Sequence, residues 1–317
     1  MVCHNFGALP DNRNLGGGYM RAHFIPMTLR RRLMAAVAHA IVAPLCGAQA
    51  PAASLSHWAA PVDIDHSVPA VRTDIVCPMP LLLQEVSERV QELVANVHQF
   101  SAREHIEHVE IRKNGNPRRT RKNTFNYVAQ INQVSGSPSV EEYRISARPI
   151  ETAAGEMIDT GTAAFALIFH PYFIRDFAMS CEGLADMQSR VAWQLHFAQN
   201  PSRSNLFHVY RVGKTYYPAK LKGRAWIAAD NYEVLRLQTD LLEPIGEIHL
   251  QREHSDTRYG PVEFPKQNVR LWLPQSTELY MDYRGRRYQR RHNFSDFQLF
   301  SVETGEEVKG PKTIGKR

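Results

Sequence analysis

Beyond residue 50 the sequence has no apolar run long enough to cross a membrane as a helix, and it lacks the compact catalytic signatures. There is no G-x-S-x-G elbow, no H-E-x-x-H, no Walker loop and no G-x-G-x-x-G after a strand. Gly16-Gly17-Gly18 stands ahead of the leader and carries no such role. No local pattern gathers Ser, His and Asp into a triad, so we expect no catalytic residue, no cofactor and no enzyme. An exported hydrolase is the remoter alternative and needs a nucleophile and base within reach in a polar cleft. A strong charge of one sign is also missing. The chain has 38 Lys+Arg and 32 Asp+Glu, a net of +6. Residues 1–50 hold five of the Arg (13, 21, 30, 31, 32) and one acid, Asp11, so the rest nets about +2. The basic balance belongs to the leader and gives no ground for a nucleic-acid partner.

What is present begins with that leader. Met27 opens a better start than Met1. Arg30, Arg31 and Arg32 form a positive region, Leu33–Gly47 an apolar one, and Ala48-Gln49-Ala50 a small-x-small cleavage site. The order predicts an exported protein cut near Ala50. Residues 1–50 are read as a non-native extension plus signal peptide, with the mature chain in the periplasm. Lipidation at Cys46 is disfavoured by the bulky Leu45 before it. Of four cysteines, Cys77 and Cys181 survive cleavage. In an oxidising compartment they can pair, closing a loop of about a hundred residues, or remain as two buried thiols.

Residues 51–75 are rich in Ala, Pro and Ser and read as a flexible lead-in; 76–317 read as one domain. Leu82, Val86, Val90, Leu93, Val94 and Val97 recur at helical spacing behind Pro80, predicting a helix over 81–100. The period then changes to two. His105–Lys113 and Thr124–Gln133 flank Asn114-Gly115, a hairpin signal. Further strands are expected at 140–147, 191–198, 221–228, 232–241, 247–253, 267–273, 277–283, 286–293 and 297–302. About eleven strands with short connections exclude parallel βαβ units. Only 162–179 breaks the rhythm; it reads as a short helix over Ala163–Phe169, a break at Pro171 and a second turn over Tyr172–Phe177. The fold class is α+β.

His105 and His108 would share a face on a helix but not on a strand, so no metal site is expected. His170 reads as a core histidine bonded to backbone. Glu142 and Arg144 share a strand face and suit an ion pair. Arg284, Arg286, Arg287, Arg290 and Arg291 interleave with Tyr280, Tyr283 and Tyr288 on a Gly-containing hairpin. A solvated face or a contact with an envelope partner or anionic headgroups both fit.

The stretch from Tyr217 to Ile227, including Gly223-Arg224-Ala225-Trp226-Ile227, then Asp230 and Val234-Leu235-Arg236-Leu237, resembles a strand pair of the outer-membrane lipoprotein-sorting (LolA/LolB-like) superfamily. Residues 262–302 continue in the style of its envelope branches. The resemblance implies a curved, half-open antiparallel barrel with helices on the concave face and an apolar groove between. It points to an exported protein that binds or carries a lipid or acyl chain. The expected groove residues are Trp193, Leu195, Phe197, Trp226, Leu235, Leu237 and Trp272, with Phe165, Phe169, Tyr172 and Phe173 as lid. A closed core built from the same residues is the bland alternative. A non-catalytic envelope module using the Arg/Tyr hairpin is the other.

Overall fold

A computed structural model describes residues 59–134, 136–146, 158–160, 165–187, 190–203 and 208–300. The leader, its cleavage site and residues 51–58 lie outside them. Among these residues one α-helix, α1 (Met79–Asn96), precedes thirteen strands: β1 (Gln99–Ile111), β2 (Pro117–Val134), β3 (Ser137–Ile145), β4 (Ile158–Thr160), β5 (Phe177–Met187), β6 (Arg190–Gln199), β7 (Val209–Val212), β8 (Thr215–Pro218), β9 (Leu221–Ala228), β10 (Val234–Leu241), β11 (Leu250–Phe264), β12 (Val269–Tyr283) and β13 (Arg286–Phe300).

Helix α1 buries Leu82, Val86, Val90 and Val94, four of the six apolar residues read from the sequence as its stripe. It stops short of residue 100 because Val97 is already extended, its N–H donating to the Leu93 carbonyl at 3.0 Å. Turn residues 112–116 close the first hairpin with Gly115 at φ 80°.

Ten strands form one curved antiparallel sheet in the order β3-β2-β1-β13-β12-β11-β10-β9-β6-β5. The β4-β7-β8 trio forms a second, small sheet. The large sheet does not close: β3 and β5 are its edges. The β1–β13 pairing sets the first hairpin beside the last. Two expectations need correction. Among the described residues the strands number thirteen, not about eleven: β4, β5, β7 and β8 add four, while 267–273 and 277–283 are one strand and 286–293 and 297–300 another, each carried through a register shift instead of a turn, at Arg258/Tyr259 opposite β12 and at Ser101/Arg103 opposite β13. The segment 162–179 holds no α-helix among its described residues. It forms 3-10 turns at Phe165–Phe169 and Ile174–Asp176 on either side of Pro171, then enters β5. Each piece is too short to nucleate an α-helix, and Pro171 removes the N–H that would join them.

The large sheet presents two faces. On the helix-bearing face Leu195, Ala225 and Leu237 stand in register across β6, β9 and β10 and share a core with α1 and Phe169. Ser87 fixes α1 to the 3-10 turn by donating to the Phe169 carbonyl at 2.6 Å. On the opposite face Gln194, Trp226 and Arg236 form the alternate row. Gly223 is needed on the first face: a Cβ there would lie 2.1 Å from the Phe197 ring.

Residues 59–72 run across the opposite face as a strap. Ile64 is buried, its N–H donating to Asp240 Oδ2 at 2.7 Å. The buried Arg224 guanidinium grips the strap through the carbonyls of Ile64 and Ser67 while pairing with Glu182 at 2.6 and 2.8 Å. Lys222 pairs with Asp63 at 2.7 Å, and Arg252 donates to the Pro61 carbonyl at 2.9 Å. Arg72 then bridges Leu184 of β5, where Gly183 (φ 141°) leaves room for the Arg72 carbonyl. A disulfide joins Cys77, between strap and helix, to Cys181 on β5, with Cα atoms 6.4 Å apart. It closes a loop of 104 residues.

Candidate functional site

The C-terminal half of α1 does not seal against the sheet. A partly open cleft of about 100 Å³ lies between Val90, Leu93 and Asn96 of the helix, Ala166 of the 3-10 turn, and Val234, Tyr259, Val269, Leu271 and Trp272 of the sheet. Arg89, Glu92, Glu233 and Arg270 stand with them around it. Its walls are apolar because they are the margin of the core; its rim is charged because α1 turns its polar side outward there. The Trp272 indole N–H is buried and has no hydrogen-bond partner among the described residues. The Arg190 guanidinium lies over its ring at 5.4 Å. Burial pushes the Glu233 carboxyl above its usual range, with Glu92 adding to the rise and Arg89 opposing it.

The same sheet face changes character away from the cleft. Hydroxyl pairs, Thr239–Ser255 at 2.7 Å and Thr257–Thr277 at 3.1 Å, lead to a buried charge network. Glu104, fully buried, accepts two bonds from Arg144 at 2.7 and 3.0 Å and lies 2.8 Å from His292 Nδ1. Burial acts to raise the Glu104 carboxyl, but His292 and Arg144 outweigh it and hold it below its usual range. Burial holds His292 low. The expected Glu142–Arg144 pair exists at 3.8 Å; Glu104 is the closer partner, which sequence spacing cannot reveal because it sits two strands away.

The anticipated groove residues fall into three groups. Trp272 lines the cleft. Trp193, Leu195, Phe197, Leu237, Phe169 and Phe173 are buried within the closed core. Trp226 and Leu235 lie in a separate cluster on the strap-bearing face: alternation in β9 turns Trp226 away from Ala225, and the register shift between Val234 and Arg236 in β10 separates Leu235 from Leu237. Tyr172 is 44 % exposed. Phe165 opens the 3-10 turn, and its side chain lies outside the described residues. The motif region is thus structural: Arg236 stacks 4.7 Å over Trp226 and donates to Asp256 at 2.8 Å, while Arg224 holds the strap. Glu233, Arg89, Arg270 and Tyr259 were not anticipated. Their only sequence signal is placement at a hairpin end or on a helix flank.

The arginine hairpin carries acids beside it. Arg291 pairs with Glu278 at 3.0 Å and Glu107 at 3.9 Å, Arg286 lies 3.8 Å from Glu110, and Arg287 stands opposite Asp282. Arg290 donates to His108 Nδ1 at 3.1 Å, and Arg284 takes a left-handed turn position over Tyr283. His105 and His108 do face opposite ways; His105 meets Thr124 at 2.8 Å. Among the described residues no group of three His, Cys, Asp or Glu is placed to hold a metal. His170 accepts from the Tyr172 backbone N–H at 3.2 Å. No helix among the described residues is long and apolar enough to cross a membrane.

No family model matches the chain, and no curated protein does. Three solved structures are similar to it in chain path. A DUF1329 family protein from Desulfovibrio piger is 9 % identical with a TM-score of 0.43, covering 73 % of this chain and 95 % of that one. A domain assigned to outer membrane lipoprotein sorting, from Vibrio parahaemolyticus, is 10 % identical (TM-score 0.38; 72 % and 95 %). A LolA superfamily protein from Nitrosomonas europaea is 12 % identical (TM-score 0.36; 69 % and 94 %).

Proposed function

We propose that this chain is an exported, non-catalytic protein that takes an apolar ligand, a lipid or acyl chain, at the seam between α1 and the sheet, with the helix on the concave side. One observation carries the reading: the cleft is walled by Val90, Leu93, Ala166, Val234 and Leu271, side chains continuous with or packed against the core, and opens outward at a charged rim. Each methylene placed against such walls gains about 0.8 kcal/mol over water. The cleft at rest is smaller than an acyl chain, so occupancy requires α1 to lift away from the sheet. The Cys77–Cys181 bond fits the oxidising compartment that the leader implies.

The test is mass spectrometry of the protein purified without detergent, together with titration by a fluorescent fatty acid. A co-purified lipid, or saturable fatty-acid binding competed by unlabelled lipid, is the expected result. A ligand-free protein that ignores the fatty acid overturns the reading.

A further inference from the structure

The apolar walls say nothing of what the rim prefers, and the rim is unusual. Among the described residues Glu233 has no cation within ion-pair distance, although it is half-buried and feels Arg89, Arg190 and Arg270 through space. Trp272 offers a buried N–H that nothing accepts. Unmet polar groups of this kind cost stability unless a partner arrives. The two rim arginines are held only loosely. Arg89 pairs with Glu92 at 2.7 Å with both side chains well exposed, and Arg270 with Glu263 at 3.0 Å likewise. Exposed pairs of this sort contribute about 0–1 kcal/mol, so either guanidinium can exchange its carboxylate for another anion at little cost.

The cleft therefore presents one free carboxylate for a cation, an orphan N–H and two releasable guanidinium groups for an anion, and apolar walls beneath. We propose that this rim reads the zwitterionic head of a phosphoethanolamine lipid: the primary ammonium on Glu233, the phosphate on Arg89 or Arg270 with the Trp272 N–H, and the chain directed under α1. The proposal rests on the seam being an apolar-ligand site. It adds the chemistry of the head. A cleft of about 100 Å³ suits a head or linker fragment better than a chain. A water molecule's share of liquid is about 30 Å³, which sets the scale.

The experiment measures dissociation constants of the full protein, by calorimetry below micelle concentration, for lysolipids of one chain length with phosphoethanolamine, phosphocholine or phosphoglycerol heads. The matching fatty acid and free phosphoethanolamine complete the set. Phosphoethanolamine lipid is expected to bind about tenfold tighter than phosphoglycerol, the size of one charge-assisted hydrogen bond. Phosphocholine should fall between, since its ammonium has no N–H to give. Glu233→Gln should erase the preference without lowering thermal stability, since it removes a half-buried charge that no cation meets, and Trp272→Phe should weaken every phosphate-headed ligand about fivefold. Equal affinity for all three heads, in wild type, overturns the headgroup assignment and leaves the apolar reading standing. Failure of every chain-bearing probe, fatty acid included, overturns both. Free phosphoethanolamine binding as tightly as its lysolipid overturns the lipid as its source.

Discussion

Glu104→Gln isolates the buried network with the smallest change of shape. The carboxylate holds Arg144 through two hydrogen bonds and His292 through a third, and it is fully buried. An amide of equal size keeps one acceptor oxygen but loses the charge. The Arg144 guanidinium then has Glu142 at 3.8 Å as its ion-pair partner. Breaking one side of a buried pair costs about 3–5 kcal/mol, because the charge left behind has been taken out of water. For a domain of this size that is a fall in Tm of about 6–15 °C. Urea unfolding followed by tryptophan fluorescence gives the free energy, with the slope expected unchanged. Arg144→Met alone and combined with Glu104→Gln completes a cycle whose coupling should exceed about 2 kcal/mol. A loss below about 1 kcal/mol for Glu104→Gln, the range of an exposed pair, would refute the claim that this network is dry and interdependent.

The other expectations are briefer. Gly223→Ala drives a methyl into the Phe197 ring and the Gln238 carbonyl, so it should cost about 2 kcal/mol or more in the same urea assay, against a few tenths for Gly246→Ala, where a Cβ meets open space. Burial, aided by Arg290 and Arg121, pushes His108 down to about 4 from 6.5. The unfolded chain therefore takes up a proton that the folded one refuses. Stability should be full above about pH 6.5 and decline as pH falls toward 4, by less than about 1.4 kcal/mol per unit because the ring is partly exposed. His292 bends the curve the same way, and Glu104 adds its loss as pH falls from the ordinary carboxyl value of 4.5 toward its own lowered one. Replacing Cys77 and Cys181 by Ser should cost about 2–5 kcal/mol. Arg224→Met should free residues 59–72 and expose them to limited proteolysis while the sheet stays resistant.

The sequence made local periods readable and left long-range partners hidden. The α1 stripe and the Asn114-Gly115 hairpin were legible because each is decided within a few residues. The merging of 267–283 into β12 was not, since Pro274 and Gln275 look like a turn until β11 is beside them to absorb the bulge. The strap escaped for a similar reason. Residues 59–72 have no period of their own and are fixed by Arg224, Lys222 and Arg252, all from strands well over a hundred residues away. Aromatic residues were a poor guide to the cleft: alternation sends Trp226 to the far face, and the rim is set by Glu233, Arg89 and Arg270, which no motif marks.

The disulfide beside α1 gives the helix two moorings. One end is bonded to β5 at the sheet's margin, and the other runs on into β1. Seven strand spacings, about 34 Å, separate those strands along the sheet, whereas an eighteen-residue helix is a rod of about 27 Å. The rod thus acts as a bowstring drawn across a bent bow. Severing the sulfur bond slackens the string at the β5 end alone, so a reducing agent should loosen the N-terminal turns of the helix first, before the seam under its C-terminal half.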